Sequence, residues 1–437
     1  MKQLFYKRMQ EYFKDEYKAF ETSLNQEAIK TVFINKLLGK NIVDDILIKL
    51  KKVDIHPLMY HYQHDNIGKT YEYQLGLVYP QELSAGIAPL VLNPKKDSVV
   101  LDMCSAPGGK AIQLYNMLDQ QGLLIANEYD YQRSLIELSN FERSGFSNFI
   151  LTSNHSKEVA KELESMVDYV LVDAPCSGEG MVRKMPEIIE TYSDDNIKSC
   201  IIRQEEILEN SYRCLKSGGY LVYSTCTFNI YENELMVKEF LTRHDDLELL
   251  DIDINHQRRG IVDDFENNKV LRFCFLDGTE GQFISLIHKK GQSQHKTFNY
   301  LKTVRNSIVE KFISDHLILD DYYLYQKNDR FYLSLVPLPK INLNIVRAGI
   351  FIGTLKQKNF IPEHHLYRAH ILKDRFKHVY NLNDKQYQIY LSGNEIEIPS
   401  ELKGYYLVTY KHYQLGFGKA VDGRLKNKYP KGLRIVV

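Results

Sequence analysis

From Ser98 onward, short apolar runs alternate with amphipathic stretches, and this alternation restricts the fold more than any other feature of the chain. Ser98–Met103, Leu123–Asn127, Asn148–Thr152, Asp168–Val172 and Tyr220–Ser224 read as strands. Helical spacing follows from about Lys110, over Tyr131–Ser144, over Asn196–Lys216 with a stop at Gly218-Gly219, and over Tyr231–Arg243. Leu247–Ile252 and Gln282–Ile287 supply further strands to close a sheet. A strand that is apolar along its whole length is buried on both faces, so this series predicts an α/β fold with a mainly parallel sheet and helices on both sides. Ligands of such sheets bind outside the carboxyl ends of the strands.

The flanks read differently. Leu4, Phe5, Met9, Tyr12 and Phe13, then Ile29, Phe33 and Leu37, recur at helical spacing and predict several short helices before residue 50. Residues 56–80 are aromatic and His-rich, with turn signals at His56-Pro57 and Asn66-Ile67-Gly68. Lys289–Lys296 is a polar linker, and beyond it Arg330–Leu335, Gly349–Leu355 and Tyr405–Tyr410 predict small β-rich modules. The chain has 437 residues, 44% hydrophobic and 26% charged, which suits several globular domains and argues against disorder. Its N-terminus is charged from the second residue, and no apolar run is long enough to span a bilayer, so neither a secretory signal nor a membrane anchor is expected.

Cysteines stand at 104, 176, 200, 214, 226 and 274 without a C-x-x-C pair, so neither a zinc ribbon nor a disulfide scaffold is indicated. No metal is expected, the thiols are expected to be free, and the compartment is expected to be the cytoplasm. Net charge is zero, but from Ile341 onward 16 Lys and Arg face 7 Asp and Glu, a local excess of +9. Such asymmetry predicts a polyanionic partner for the C-terminal part.

Four strings sit where a sheet of this kind keeps its chemistry. Asp102-Met103-Cys104-Ser105-Ala106-Pro107-Gly108-Gly109-Lys110 follows the first strand, with paired glycines for close backbone approach ahead of a helix N-terminus. Its spacing is neither G-x-G-x-x-G nor a P-loop, which disfavours an NAD-linked oxidoreductase. Glu128 ends the second strand, where an acid can accept from ribose hydroxyls. Asp173-Ala174-Pro175-Cys176-Ser177-Gly178-Glu179-Gly180 and Ser224-Thr225-Cys226-Thr227 end the fourth and fifth strands. Cys200 and Cys214 inside the long helix, and Cys274 within a strand, read as small buried hydrophobes. Cys176 and Cys226, among turn-forming residues at strand ends, are candidate nucleophiles.

Together the strings DMCSAPGGK (102–110), DAPCSGEG (173–180) and STCTFNIYENE (224–234) resemble the Nop/Sun family of RNA cytosine-5 methyltransferases. Arg133…Asn140…Arg143-Ser144-Gly145 and Tyr79-Pro80-Gln81-Glu82-Leu83-Ser84 also fit. Gly416-Phe417-Gly418-Lys419, the run from Asp422 to Arg434, and Val346-Arg347-Ala348-Gly349-Ile350…Gly353 are similar to the C-terminal modules of the bacterial small-subunit ribosomal RNA branch, the F type.

This resemblance implies a Rossmann-like class I methyltransferase sheet, an N-terminal helical RNA-binding extension, and β-rich C-terminal modules including a PUA-like domain. The implied boundaries are 1–79, 80–290, 291–375 and 376–437. It implies transfer of a methyl group from S-adenosylmethionine (AdoMet) to carbon 5 of a cytosine in 16S ribosomal RNA. Cys226 is the implied nucleophile and Cys176 the partner thiol that assists release; Asp173 would hydrogen-bond the base, and Lys110 would pair with Asp173 or a nearby anion. AdoMet would lie on Cys104, Ser105, Ala106, Pro107, Gly108, Gly109 and Lys110, with Glu128 on the ribose, Asn154 near the adenine and Asp173 alongside. Arg424, Lys426, Lys428, Lys431 and Arg434 would contact RNA. The partner would be ribosomal RNA or the small subunit, and the protein a monomer. The same chemistry on transfer RNA, and a non-catalytic ribosome-assembly factor, are the alternatives. The chain departs from the family at Ser105, at Ala111, at Phe33-Ile34-Asn35 where an arginine is usual, and in the late hairpin Phe273–Phe283.

Overall fold

The computed structural model describes residues 2–39, 42–44, 46, 48–292 and 297–435. Among these, nine strands form the central sheet: Val99–Asp102 (β1), Leu123–Asn127 (β2), Phe149–Thr152 (β3), Val167–Asp173 (β4), Leu215–Thr225 (β5), Leu247–Leu250 (β6), Val270–Phe273 (β7), Gln282–Lys289 (β8) and Ile345–Ala348 (β9). Their order is β6-β8-β5-β4-β1-β2-β3-β9, with β7 also paired to β8. The pairs among β1 to β5 are parallel, and β6 to β9 join antiparallel.

Successive residues in these strands serve opposite layers. Val100, Leu124, Phe149, Leu171 and Val222 pack under the helices Leu83–Leu92, Gly109–Leu118 and Tyr131–Arg143. Leu101, Ile125, Ile150, Val170 and Leu221 face Ser156–Glu162, Asp194–Cys214 and Glu234–Arg243. Both faces are thereby dry, which explains the uninterrupted apolar runs. The strand order reverses beside β1, between β2 on one side and β4 on the other, so a crevice opens at the carboxyl ends of β1 and β4.

The N-terminal extension differs from expectation. Its helices are Lys2–Phe13 and Tyr17–Ser23, but Thr31–Ile34 is a strand within a four-stranded antiparallel sheet with 50–52, 59–62 and 78–80. All four residues of Thr31–Ile34 are buried, so no alternation marked the strand, and Phe33 fell into helical register with Ile29 and Leu37 by coincidence. The long helix ends at Cys214, before the glycine pair, because the chain turns directly into β5 and carries Gly218-Gly219 inside that strand. The following helix begins at Glu234, since residues 226–233 form a loop held by side chains. Cys274 lies outside β7, where it caps the turn Phe275–Asp277. The polar linker is shorter than expected: Lys289 belongs to β8 and buries its ammonium against the carbonyls of Tyr212 and Leu215, while 293–296 lie outside the described residues.

C-terminal to the linker, 323–327, 330–334, 350–356 and 359–362 form one sheet, and 379–382, 404–410, 413–421, 424–427 and 396–397 another. β9 leaves this region to extend the central sheet beside β3. No helix among the described residues is long and apolar enough to cross a membrane.

Candidate active site

The loop after β1 is clamped by the helix Tyr131–Arg143. Arg133 donates to the Ala106 carbonyl at 2.9 Å, Asn140 to the Pro107 carbonyl at 2.7 Å, and Glu137 accepts from the Ser105 hydroxyl at 2.9 Å. Positions 133, 137 and 140 share one helix face, so the spacing of Arg133 and Asn140 in the sequence is the spacing of this clamp. Gly108 starts the next helix with φ of 102°, and a Cβ there would come 3.1 Å from the Phe141 ring. A side chain is excluded by conformation and by space. Arg143 in turn donates to Asn140 Oδ1 at 2.7 Å.

Asn127 ties the strand ends together. Its amide donates to the carbonyls of Met103 (3.2 Å) and Asn154 (3.1 Å), and its Oδ1 accepts from Thr152 Oγ1 (2.9 Å) and the Asn154 N–H (3.1 Å). Glu128 follows, buried, 3.2 Å from the Arg133 guanidinium. Asp102, at the end of β1, is buried with neither carboxylate oxygen hydrogen-bonded by another side chain. Burial, and then the charge of Asp173, push its carboxyl up to about 8. A buried carboxyl without a side-chain partner is a ready partner for a cation. Sequence reasoning assigned Asp102 no role beyond its place in the string 102–110 and assigned Asn127 none, because nothing local distinguishes them from ordinary strand-end residues.

Beyond β3, the Asn154 side chain meets the lead into β9. Its Nδ2 donates to the Asn344 carbonyl and its Oδ1 accepts from the Asn344 N–H at 3.0 Å, so the lead into β9 occupies both ends.

At the end of β4, Asp173 is 2.6 Å from Lys110 Nζ and accepts from Ser224 Oγ at 2.8 Å and Gln282 Nε2 at 3.3 Å. Burial opposes the charge on Lys110, but the Asp173 carboxylate outweighs it and the ammonium is held above its usual range; the Cys226 sulfur also favours the cation. The parallel pairing of Asp173 with Ser224 brings the two following turns side by side. There Cys176 Sγ lies 3.2 Å from Cys226 Sγ. The contact with Cys226, then burial, push the Cys176 thiol far up.

The loops that carry these thiols are braced from below. Glu232 accepts from the Ser177 N–H (2.9 Å) and Gln204 Nε2 (2.8 Å), and Asn233 donates to the Thr227 carbonyl (2.9 Å). Glu179 accepts from the Phe228 N–H at 3.0 Å and from the Tyr192 hydroxyl, which Arg8 of the N-terminal helix reaches at 3.1 Å. Gly180 faces Gly281 of the β7–β8 connection so closely that a Cβ on either would stand 2.4 Å from the other's Cα. The remaining thiols are held away from the thiolate: burial lifts Cys200 to about 11 and Cys214 and Cys274 to about 12, and Cys104 is pushed well up by burial and the neighbouring carboxylates.

Residues 89–287 match the family model described as 16S rRNA methyltransferase RsmB/F, and 377–435 match the methyltransferase RsmF PUA domain. Ribosomal RNA small subunit methyltransferase F of Shewanella loihica is 31% identical, over 84% of this chain and 79% of that one. The chain belongs to the ribosomal RNA small subunit methyltransferase F family. The member from Escherichia coli O6:H1 is 28% identical over 84% of this chain and 80% of its own. A solved methyltransferase homologue from Pyrococcus horikoshii superposes with a TM-score of 0.57 at 28% identity, covering 64% of this chain and 93% of that one.

In this F-family member the expected RNA-contact residues divide. Arg424, Lys426, Lys428 and Lys431 are exposed along and after the last C-terminal strand. Arg434 is half-buried and turns inward, donating to the Tyr429 carbonyl at 3.3 Å. Among the described residues no group of three or more His, Cys, Asp or Glu is placed to hold a metal ion.

Proposed function

We propose that this protein transfers a methyl group from AdoMet to carbon 5 of a cytosine in 16S ribosomal RNA, with Cys226 as nucleophile and Cys176 as its partner thiol. The observation that carries the reading is the contact between the two sulfurs at 3.2 Å, at the carboxyl edge of a methyltransferase sheet and within reach of the Lys110 cation.

The residues present fit AdoMet. The clamped loop Cys104–Lys110 offers backbone groups ahead of a helix N-terminus, Glu128 suits the ribose hydroxyls, and the buried Asp102 carboxyl suits the cofactor's amino group. Asn154 is left out of this set because its amide is committed to Asn344. When bound, AdoMet supplies an electrophilic methyl group.

Carbon 5 of cytosine is a weak nucleophile. Addition of the Cys226 thiolate to carbon 6 gives carbon 5 enamine character, and covalent catalysis thus divides one hard step into easier ones. Asp173, fixed by Lys110, Ser224 and Gln282, accepts a hydrogen bond from the exocyclic amino group and orients the ring. Carbon 5 then takes the methyl group; release passes the carbon 5 proton to a base and so to solvent, re-forms the double bond between carbons 5 and 6, and expels Cys226 as its thiolate. Cys176 donates its hydrogen to the departing Cys226 sulfur and so stabilises it.

The test is bisulfite mapping of 16S ribosomal RNA from cells lacking the gene, complemented with the wild type or with Cys226→Ser. At least one cytosine should resist conversion only with the wild type. Identical maps in all strains would refute the reading.

A further inference from the structure

A cavity of about 270 Å³ lies where the N-terminal extension, the helix Tyr131–Arg143 and the C-terminal module meet. Three guanidinium groups line it: Arg143, Arg368 and Arg434. Arg143 stacks over the Tyr73 ring at 4.0 Å. Arg368 is 4% exposed, and its donors reach only carbonyls, those of Leu75 at 2.9 Å, Arg143 and Gln414. Among the described residues none of the three is paired with a carboxylate. Glu142, the acid in the lining, is already engaged by Arg347 at 2.8 Å. His364 also lines the cavity, 8% exposed, with Nδ1 unpartnered.

A buried cation without a counter-charge is costly, and the buried Arg368 with the half-buried Arg143 and Arg434 around one small space forms a site with a deficit of negative charge. Guanidinium forks match phosphate oxygens, which they can bind in bidentate fashion. Arg434 stands three residues beyond Lys431, so the cavity continues the exposed run Arg424, Lys426, Lys428 and Lys431 into the body of the protein.

We infer that this cavity is an anchoring site for one phosphodiester of the substrate RNA, bound by Arg143, Arg368 and Arg434 at the junction of the methyltransferase and C-terminal modules. The inference rests on the reading of this protein as an RNA methyltransferase and adds a second, internal contact to the exposed cationic run.

The experiment measures binding of a 16S ribosomal RNA fragment to the full-length protein at several salt concentrations. Arg434→Gln, on a half-buried residue near the chain end, should weaken binding about tenfold and reduce the slope of log affinity against log salt by about 1. Ser139→Phe, which fills the cavity from the helix face and changes no charge, should weaken binding as well, with a melting temperature close to wild type. Wild-type affinity in both variants, alongside loss in Lys426→Gln/Lys428→Gln, would overturn the cavity assignment and leave the RNA reading standing. Absence of RNA binding by the wild type would instead remove that reading and this one with it. Inorganic phosphate is the second probe. Arg434-dependent phosphate binding with unchanged RNA affinity would assign the cavity to a free anion and overturn the proposal.

Discussion

The sulfurs of Cys176 and Cys226 touch at 3.2 Å although they end different strands, fifty positions apart in the chain. The contact follows from register. Asp173 pairs with Ser224, the Ala174 N–H donates to the Ser224 carbonyl at 2.9 Å, and the Gly180 N–H donates to the Cys226 carbonyl at 2.9 Å. Both turns are thus pinned to each other before either thiol is considered.

That pairing separates the two thiols experimentally. Cys226→Ser should reduce methyl transfer to background and form no covalent adduct, because a hydroxyl without a strong base is a far weaker nucleophile than a thiolate. Cys176→Ala should still be attacked through Cys226 but stall at release, leaving a denaturation-resistant protein–RNA band that the double variant lacks. A band from the Cys226 variant alone would reverse the assignment.

The proposed seat of the AdoMet amino group on Asp102 predicts that binding depends on pH. Its carboxyl, pushed up to about 8 by burial, is protonated at neutral pH in the unliganded protein, whereas a cationic amino group favours the ionised form. Binding at pH 7 should release a proton, and affinity should rise with pH by at most about tenfold per unit until about pH 8. Calorimetry in buffers of different ionisation enthalpy measures the proton directly. Asp102→Asn should remove both effects; a proton count unaltered in that variant would exclude Asp102 as the source.

Glu232 gives a prediction about stability. Burial raises its carboxyl from 4.5 to about 7, so the folded chain holds this proton more tightly than the unfolded chain. Its contribution is therefore fully present below pH 4.5 and is lost as pH rises toward about 7, by at most about 1.4 kcal/mol per pH unit. Urea unfolding of wild type and Glu232→Gln at pH 5 and pH 8 should show the wild type losing ground at the higher pH. A difference that does not change with pH would mean that Glu232 is not titrating in the fold.

The clamp on the cofactor loop is tested at Asn140. Asn140→Ala leaves the Pro107 carbonyl without its 2.7 Å donor, and the loss of one such bond is worth about 1 kcal/mol. AdoMet affinity should fall about five- to tenfold while RNA affinity holds. Equal losses for both ligands would point to general destabilisation rather than to the loop.

The central sheet was legible because its burial leaves a trace in the sequence. β1 to β5 are wetted on neither face, and the helices between them are wetted on one, so apolar runs and amphipathic stretches alternate. Thr31–Ile34 was not legible for the same physical reason in reverse: four buried residues in a small sheet have no period to read. β9 was hidden because it pairs with β3 nearly two hundred residues earlier, and no local pattern encodes a partner at that distance. The tie between Asn154 and Asn344 was hidden for the same reason.

By itself the sequence determined the order of strands and helices, the residue types at each strand end, and the family to which those strings point. These depend on local burial and local backbone conformation, which nearby residues express. Only the tertiary structure decided which groups meet: Cys176 with Cys226, Lys110 with Asp173, Asn154 with Asn344, and Arg434 with Arg143 and Arg368. Those meetings depend on strand register and on packing between distant modules, and the charge state of Asp102 or Cys176 depends on them in turn, because burial and neighbouring charges set it.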